Sequence, residues 1–195
     1  MGWNQNEHQS TVVDWHGPFS WFGYEKHNGL EQMPNLSGIY LWTFEYLDGY
    51  LLYCAGITKS THQRFRQHTR EYKKGNYTIF DVSAAQKGER AEIWHGWEYA
   101  RTHREEFEDR KAEISRAIEL QLKSFRVFVA NLEDQRTRTR LEAAIMHSIY
   151  ESPEPWAKLA DRGMSLSKKW DSEMPIVVEN KAGVKIYGLQ SYLKI

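Results

Sequence analysis

Side chains able to act on a phosphate ester follow one another in the N-terminal half of the chain. Tyr40 and Tyr53 carry phenols, Arg64 carries a planar cation, and His68 follows Arg64 by four residues. Positions four apart share one face of a helix. A guanidinium binds phosphate oxygens through paired hydrogen bonds, and an imidazole exchanges a proton near neutral pH. This order of residue types therefore fits a site that handles phosphate esters.

A β-hairpin is the first element needed to position these groups. The runs 38–46 and 50–56 are rich in aromatic and β-branched residues and flank Leu47-Asp48-Gly49. Two strand-like runs around an Asp-Gly turn predict a hairpin. The two tyrosines would then lie on neighbouring strands.

A basic helix is the second element. Residues 58–74 predict a helix, because Ser60 or Thr61 can cap its start and no glycine or proline follows until Gly75. Residues 59–74 hold six bases and one acid, although the whole chain has zero net charge. Phosphate contacts act within about 8–10 Å, so a local basic face matters more than the total charge. Candidate contacts to a nucleic-acid backbone are Lys59, Arg66, Arg70, Lys73 and Lys74, with Arg136, Arg138 and Arg140 as additions.

The rest of the chain predicts an α/β protein. Residues 1–37 predict an irregular arm with short strand-like pieces, and 102–123 predict one long polar helix with an apolar stripe. The other predicted elements are short strands at 78–82 and 91–94, a strand at 125–130, a helix at 137–151 and a strand or hairpin at 175–189 that turns at 181–183.

The order of these motifs resembles that of the GIY-YIG nuclease family, which includes homing endonucleases, some restriction enzymes and the incision subunit of bacterial nucleotide-excision repair. The matching features are Gly38-Ile39-Tyr40, Tyr53-Cys54-Ala55-Gly56, Arg64, His68, and Glu142 early in a helix that follows a strand. Residues 59–75 look especially like the phage homing-enzyme branch. The resemblance covers about 37–75 closely and 124–151 more loosely.

The resemblance implies a small, mainly antiparallel central sheet flanked by helices. We expect an N-terminal arm over 1–36, a catalytic domain over 37–151 with a helical insertion at about 76–123, and a C-terminal extension over 152–195 packed on the same domain. The implied activity is hydrolysis of DNA phosphodiesters with one Mg²⁺ per site, for which Mn²⁺ can substitute.

The resemblance also assigns roles. Tyr40 is the implied general base, and Tyr53 would orient Tyr40 or the attacking water. Arg64 would contact the scissile phosphate, and His68 would assist proton transfer or stabilise the leaving group. Glu142 would bind Mg²⁺, since a hard cation takes oxygen ligands and keeps several waters.

One departure concerns the second tyrosine. The family motif is Tyr-x-Gly, whereas this chain has two residues between Tyr53 and Gly56. A one-residue slip turns a strand side chain to the other face of its sheet. A β-bulge at Cys54-Ala55 would restore the direction of Tyr53. Otherwise Tyr50 is the next candidate for this phenol.

Each of these residues also has a purely structural interpretation. The tyrosines could be packed strand residues, and the basic residues could form a solvated face. Glu142 could pair with Arg138, and Glu151 is a weaker candidate for the metal ligand. The chain as a whole could be a catalytically inactive nucleic-acid-binding or protein-interaction module that keeps the fold. The eight tryptophans would ordinarily pack in cores, with stacking on bases as the alternative.

Composition bounds these hypotheses. The single cysteine, Cys54, fits a reducing intracellular setting, and no run of about 18 apolar residues indicates a membrane span. We therefore expect a cytoplasmic protein. Zinc-ligand spacing and nucleotide-binding glycine motifs are missing from the sequence. Within the nuclease hypothesis, a restriction-type role is favoured because the chain is short and carries no recognisable extra DNA-binding module. Cleaving both strands with one active site would require a homodimer.

Overall fold

The structure is a computed structural model that describes residues 9–167 and 170–195. Its helices are α1 (Glu25–Asn28), α2 (Thr61–Lys73), α3 (Val82–Ala85), α4 (Trp97–Thr102), α5 (Arg104–Asp109), α6 (Lys111–Ser124) and α7 (Gln135–Tyr150), followed by a 3-10 turn at Pro155–Leu159. Its strands are β1 (Gln9–Ser20), β2 (Gly38–Tyr46), β3 (Gly49–Thr58), β4 (Ile79–Phe80), β5 (Glu92–Trp94), β6 (Arg126–Asn131), β7 (Ile176–Ala182), β8 (Ile186–Tyr187) and β9 (Tyr192–Lys194).

A large mixed sheet forms the centre of this α/β fold. Seven strands lie in the order β8-β3-β2-β6-β1-β7-β9, and β4 pairs separately with β5. In the large sheet β1 pairs parallel with β7 and β3 pairs parallel with β8, while the other neighbours are antiparallel. The prediction of a small sheet was therefore wrong. The sheet is larger because strands from both ends of the chain join the hairpin.

The N-terminal and C-terminal strands depart from the sequence predictions. Residues 9–20 form the twelve-residue strand β1 between β6 and β7, where an irregular arm was expected. Residues 1–8 of that expected arm lie outside the described residues. Of the strand or hairpin predicted over 175–189, the strand forms as β7 but the hairpin does not, because β7 pairs with β1 and β9 whereas β8 pairs with β3.

The connection between β7 and β8 requires the sheet to curl. These strands lie near opposite ends of the strand order. Four residue steps from Ala182 to Ile186 reach at most about 14 Å. The two ends of the sheet must therefore approach each other, and α7 packs on one face of the curled sheet.

The alternation of side chains along β2 divides the core into two clusters. Tyr40, Trp42 and Phe44 face one side, where they pack with residues of α2 and α6. Ile39 and Leu41 face the other side, where they pack with α7. This is the period of two expected for a strand. Because β2 is buried along most of its length, both of its faces contribute to the core.

The predicted hairpin and basic helix are both confirmed. β2 and β3 pair antiparallel from Gly38 opposite Thr58 to Tyr46 opposite Gly49. The cap of α2 is Ser60, whose side chain accepts the Gln63 backbone N–H at 3.3 Å.

The single long helix predicted over 102–123 is interrupted. It appears as α4, α5 and α6, with non-helical backbone at His103 and Arg110. The breaks allow α5 to turn Phe107 into the core, against Trp94 at a ring separation of 5.3 Å. The predicted apolar stripe of α6 is buried, at Ile114, Ala117, Ile118 and Leu122. None of the helices in the described ranges has the length and apolarity to cross a bilayer.

Candidate active site

Tyr40 lies over Gly56, its direct partner across the hairpin. A Cβ atom at position 56 would lie 2.2 Å from the Tyr40 hydroxyl oxygen and 2.3 Å from Cζ. No side chain larger than hydrogen can occupy that space without moving the phenol. The glycine of the second motif is therefore required by the position of the tyrosine in the first.

Arg64 and His68 meet the Tyr40 hydroxyl from α2. The Tyr40 oxygen lies 2.9 Å from Nε2 of His68 and accepts a hydrogen bond from Nε of Arg64 at 3.4 Å. The other ring nitrogen of His68, Nδ1, lies 3.1 Å from the hydroxyl of Tyr77. Since the two residues of α2 are four apart, one helix face presents both to the phenol. The structure thus brings these three sequence-predicted residues together.

Burial sets the protonation states of this cluster. It raises the pKa of Tyr40 well above its ordinary value, and the Arg64 charge opposes that rise. It lowers the pKa of His68 well below 6.5, and the Arg64 charge lowers it further. Both groups are therefore neutral near pH 7. A neutral imidazole carries one N–H, so it donates to one neighbouring phenol and accepts from the other.

Glu142 reaches the same cavity from α7, on the opposite face of the sheet. It lines the cavity with Tyr40 and Arg64. Burial raises the pKa of Glu142 to about 7, against the effects of the Arg64 charge and the Ile57 backbone N–H. The guanidinium of Arg138, the alternative partner, instead donates to Ser37 Oγ at 2.6 Å and to the Thr58 carbonyl at 2.9 Å.

The oxygen donors of the cavity suit a hard divalent cation. The Glu142 carboxylate is a hard oxygen ligand that opens into the cavity, which fits Mg²⁺ bound by one carboxylate, waters and substrate phosphate. Across 9–167 and 170–195, no group of three or more His, Cys, Asp or Glu side chains could hold a metal ion by itself. Glu151, the weaker candidate, is the C-cap residue of α7 and lines a different surface cavity.

Tyr53 faces the cavity through a bulge. Trp42 pairs with Cys54 and Thr43 pairs with Leu52, which leaves Tyr53 as the extra residue. The bulge is therefore one residue earlier than the Cys54-Ala55 position expected from the sequence. It places both Tyr53 and Cys54 on the Tyr40 side of the sheet, because both belong to the first core cluster.

The phenol of Tyr53 nevertheless has different neighbours from that of Tyr40. Its ring stacks on Trp42 with centroids 6.3 Å apart. Its pKa is raised well above the ordinary value, first by burial and then by Asp161 and Tyr72. Tyr50, the other candidate, packs against Phe128 in the second cluster.

The five candidate DNA-contacting residues are exposed on and beside α2: Lys59, Arg66, Arg70, Lys73 and Lys74. Lys73 and Lys74 lie 3.6 and 3.3 Å from the carboxylates of Glu119 and Glu71. Arg66 stacks on Phe22 at 4.7 Å.

The three arginines of α7 do not extend this face as the sequence suggested. Arg138 and Arg140 are buried, and Arg140 donates to the carbonyls of Met174 and Ile195 at 2.8 and 2.6 Å. Arg136 pairs with Glu173 at 2.5 Å.

Sequence reasoning missed several residues that line the cavity, among them Tyr77, Trp97 and Asp161. Tyr77 and Trp97 come from the segment expected to be an insertion, and Asp161 comes from the segment after α7. Arg90 donates to the carbonyls of Lys158, Leu159 and Ala160 at 3.2–3.3 Å, which fixes the turn before Asp161. No motif marks these positions, because long-range packing brings them to the site.

Comparisons with protein-family models, curated proteins and solved structures gave no match to this chain.

Proposed function

We propose that this chain is a Mg²⁺-dependent DNA endonuclease of the GIY-YIG type with a restriction-type role. The observation that carries the proposal is the convergence of Tyr40, Arg64, His68 and Glu142 on one cavity of about 330 Å³. These residues come from a strand, a helix beside it and a distant helix across the sheet. Their chemistry covers proton transfer, phosphate binding and cation binding.

The hydrogen bonds provide a path for a proton. When Nδ1–H of His68 donates to Tyr77, Nε2 can accept the Tyr40 proton across 2.9 Å. Tyr40 can then take a proton from water as it passes its own to Nε2 of His68. His68 stays neutral if its Nδ1–H moves to Tyr77 while Tyr77, which is partly exposed, releases its own proton to solvent. This coupled transfer suits a phenol with a raised pKa, since no free phenolate has to accumulate.

Arg64 provides the fixed positive charge. Its Nε donates to the Tyr40 oxygen, which favours loss of the phenolic proton. Its remaining N–H groups can bind oxygens of the scissile phosphate as negative charge develops there. The same side chain thus assists the base and stabilises the transition state.

Glu142 would hold the cation once its carboxyl group is ionised. Mg²⁺ bound there would supply positive charge to the phosphoryl and leaving oxygens. Ionisation of Glu142 occurs near neutral pH because burial raises its pKa to about 7. The cavity therefore couples cation binding to pH.

The exposed bases of α2, Arg66, Arg70 and Lys73, lie on the side of the helix away from Arg64 and His68, so they would contact the DNA backbone away from the scissile phosphate. Cleavage of both strands would require two copies of the site, so we propose a homodimer acting on duplex DNA in the cytoplasm.

Nicking of supercoiled plasmid tests this proposal. The wild-type protein should nick with Mg²⁺ or Mn²⁺ and stop when EDTA is added. Arg64→Ala should lose at least about a hundredfold in rate, the scale for a donor that stabilises an oxyanion. Arg116→Ala, an exposed arginine of α6, should nick like the wild type. Absence of metal-dependent nicking by the wild type would reject the proposal in favour of a binding module.

A further inference from the structure

Beside Tyr40, Arg64 and Glu142, the cavity is lined by Trp42, Tyr53, Tyr72, Trp97 and Asp161, a mainly aromatic part of its wall called here the aromatic recess. Trp42, Tyr53 and Tyr72 are buried, and Trp97 is 37% exposed. The proton path and phosphate contacts proposed above do not use the recess. Its walls are nevertheless continuous with Tyr40 and Arg64, which line the same cavity.

An indole donor of the recess lacks a partner. Trp42 is 3% exposed, and its buried Nε1 makes no hydrogen bond within the described residues. A buried donor without an acceptor is unfavourable and uncommon. Trp42 lines the cavity, but its Nε1 atom is closed to solvent, so an acceptor on a bound molecule reaches this donor only when the cavity wall moves.

Trp97 is held firmly at the mouth of the recess. Its backbone has a φ of +58°, which is rare for a bulky side chain, and its N–H donates to the Asn76 carbonyl at 2.8 Å. The indole packs against Gly163, where a Cβ would lie 2.6 Å from it, and beside the Tyr77 ring at 5.2 Å. Strained backbone that is held in place often marks a site of function.

Asp161 adds polar groups to the recess wall. It is 7% exposed, and its carboxylate accepts the Gly163 backbone N–H at 3.0 Å. The indole of Trp97 is a further hydrogen-bond partner. A fixed carboxyl group between aromatic walls can read the hydrogen-bonding edge of a planar ring.

We propose that the aromatic recess takes an unstacked nucleobase adjacent to the phosphate that is cleaved. This inference rests on the proposed endonuclease function and narrows its substrate to DNA in which a base can leave the helical stack. The whole cavity, which includes both the recess and the catalytic groups, has a volume of about 330 Å³, at the small end for ligand pockets, so the recess has room for no more than one ring system. Trp97 would stack on the base and Asp161 would select its edge.

Binding of mononucleotides tests the recess directly. Calorimetric titrations would compare dAMP, dGMP, dCMP and dTMP with 2-deoxyribose 5-phosphate. At least one mononucleotide should bind about tenfold more tightly than the sugar phosphate, the scale of stacking one base on an aromatic side chain. In Trp97→Ala the mononucleotide should bind no more tightly than 2-deoxyribose 5-phosphate, whose own affinity should be unchanged. In Trp170→Ala the affinities for the mononucleotide and for the sugar phosphate should both equal those of the wild type.

Two further variants keep the test decisive if Trp97→Ala does not fold. Trp97→Phe should retain part of the tighter binding of the mononucleotide relative to the sugar phosphate. Asp161→Asn should change the order of affinity among the four mononucleotides. Equal or undetectable affinities for mononucleotides and sugar phosphate would overturn the recess assignment, even if the wild type nicks plasmid. Base-dependent binding without any nicking would instead overturn the endonuclease proposal.

Discussion

The hydroxyl oxygen of Tyr40 lies 2.9 Å from Nε2 of His68, and both side chains are almost fully buried. A buried phenol and a buried neutral imidazole in contact form a pair through which a proton can move. Tyr77 extends the pair at Nδ1 of His68, at 3.1 Å. This chain of three groups distinguishes the site from a set of packed aromatic residues.

The role of His68 can be tested through its outer partner. Tyr77→Phe removes the acceptor for Nδ1–H but leaves the ring in place, so the fold should persist. We expect cleavage to fall about tenfold, since one neutral hydrogen bond is worth about 1 kcal/mol and proton transfer depends on it. His68→Gln should fall about a hundredfold or more. Single-turnover rates provide the measurement, and unchanged rates in both variants would exclude the proton path.

Glu142 should make the stability of the protein depend on pH. Its folded pKa of about 7 lies above the ordinary value of 4.5, so the native state retains a proton that the unfolded state releases between these values. Its contribution to stability therefore falls as pH rises through that window. Glu142→Gln should raise the melting temperature at pH 8 without metal and have little effect at pH 5. For a chain of this size, each kcal/mol corresponds to about 2–4 °C.

Glu151→Gln is the matched control, because Glu151 caps the same helix and is exposed. It should show no comparable difference between pH 5 and pH 8. A Glu142→Gln variant that is less stable than the wild type at pH 8 would contradict the buried-charge account.

The same carboxyl group should control activity. At Mg²⁺ concentrations below saturation, kcat/KM should rise with pH and level off above about 7, where Glu142 is ionised. Added Mg²⁺ should move this rise in kcat/KM, the acid limb of the pH profile, to lower pH, because the cation competes with the proton for the Glu142 carboxylate. His68 should add no limb near 6.5, since its pKa is lowered well below that value. If the pH at which kcat/KM rises does not change with Mg²⁺ concentration, Glu142 is not a ligand of the metal.

Gly56 should be indispensable for the position of Tyr40. In Gly56→Ala the new methyl group would overlap the phenol, with a separation of 2.2 Å from its oxygen. We expect cleavage to fall about a hundredfold, as small misplacements of catalytic groups can cost that much, while DNA binding persists. Gly183→Ala is the control because its Cβ would meet nothing within 4 Å. DNA-binding titrations alongside nicking rates would separate the two effects, and equal nicking by both variants would contradict the prediction.

The local parts of this fold could be predicted from sequence. The hairpin, α2 and its Ser60 cap follow from alternation, an Asp-Gly turn and capping chemistry, all encoded within short segments. The convergence of Tyr40, Arg64 and His68 was implied by the order of the motifs. These residues are within one strand–strand–helix unit, so little long-range information is needed.

The long-range parts could not be predicted in this way. The pairing of β1 with β7 joins residues more than 160 positions apart, and no local pattern specifies such a partner. Asp161 and Trp97 reach the cavity through contacts between separate segments. The burial of Arg140 against two backbone carbonyls could not be predicted either, because an arginine in a polar helix normally faces solvent.

The central claim is that the Tyr40 hydroxyl takes part in cleavage, and a comparison of two phenol deletions tests it most directly. Tyr40→Phe and Tyr53→Phe each remove one hydroxyl from the same cavity, but the Tyr40 hydroxyl contacts His68 and Arg64. Single-turnover nicking of supercoiled plasmid with Mg²⁺ should fall about a hundredfold or more in Tyr40→Phe and should be largely retained in Tyr53→Phe. Wild-type rates in a folded Tyr40→Phe protein would contradict the account.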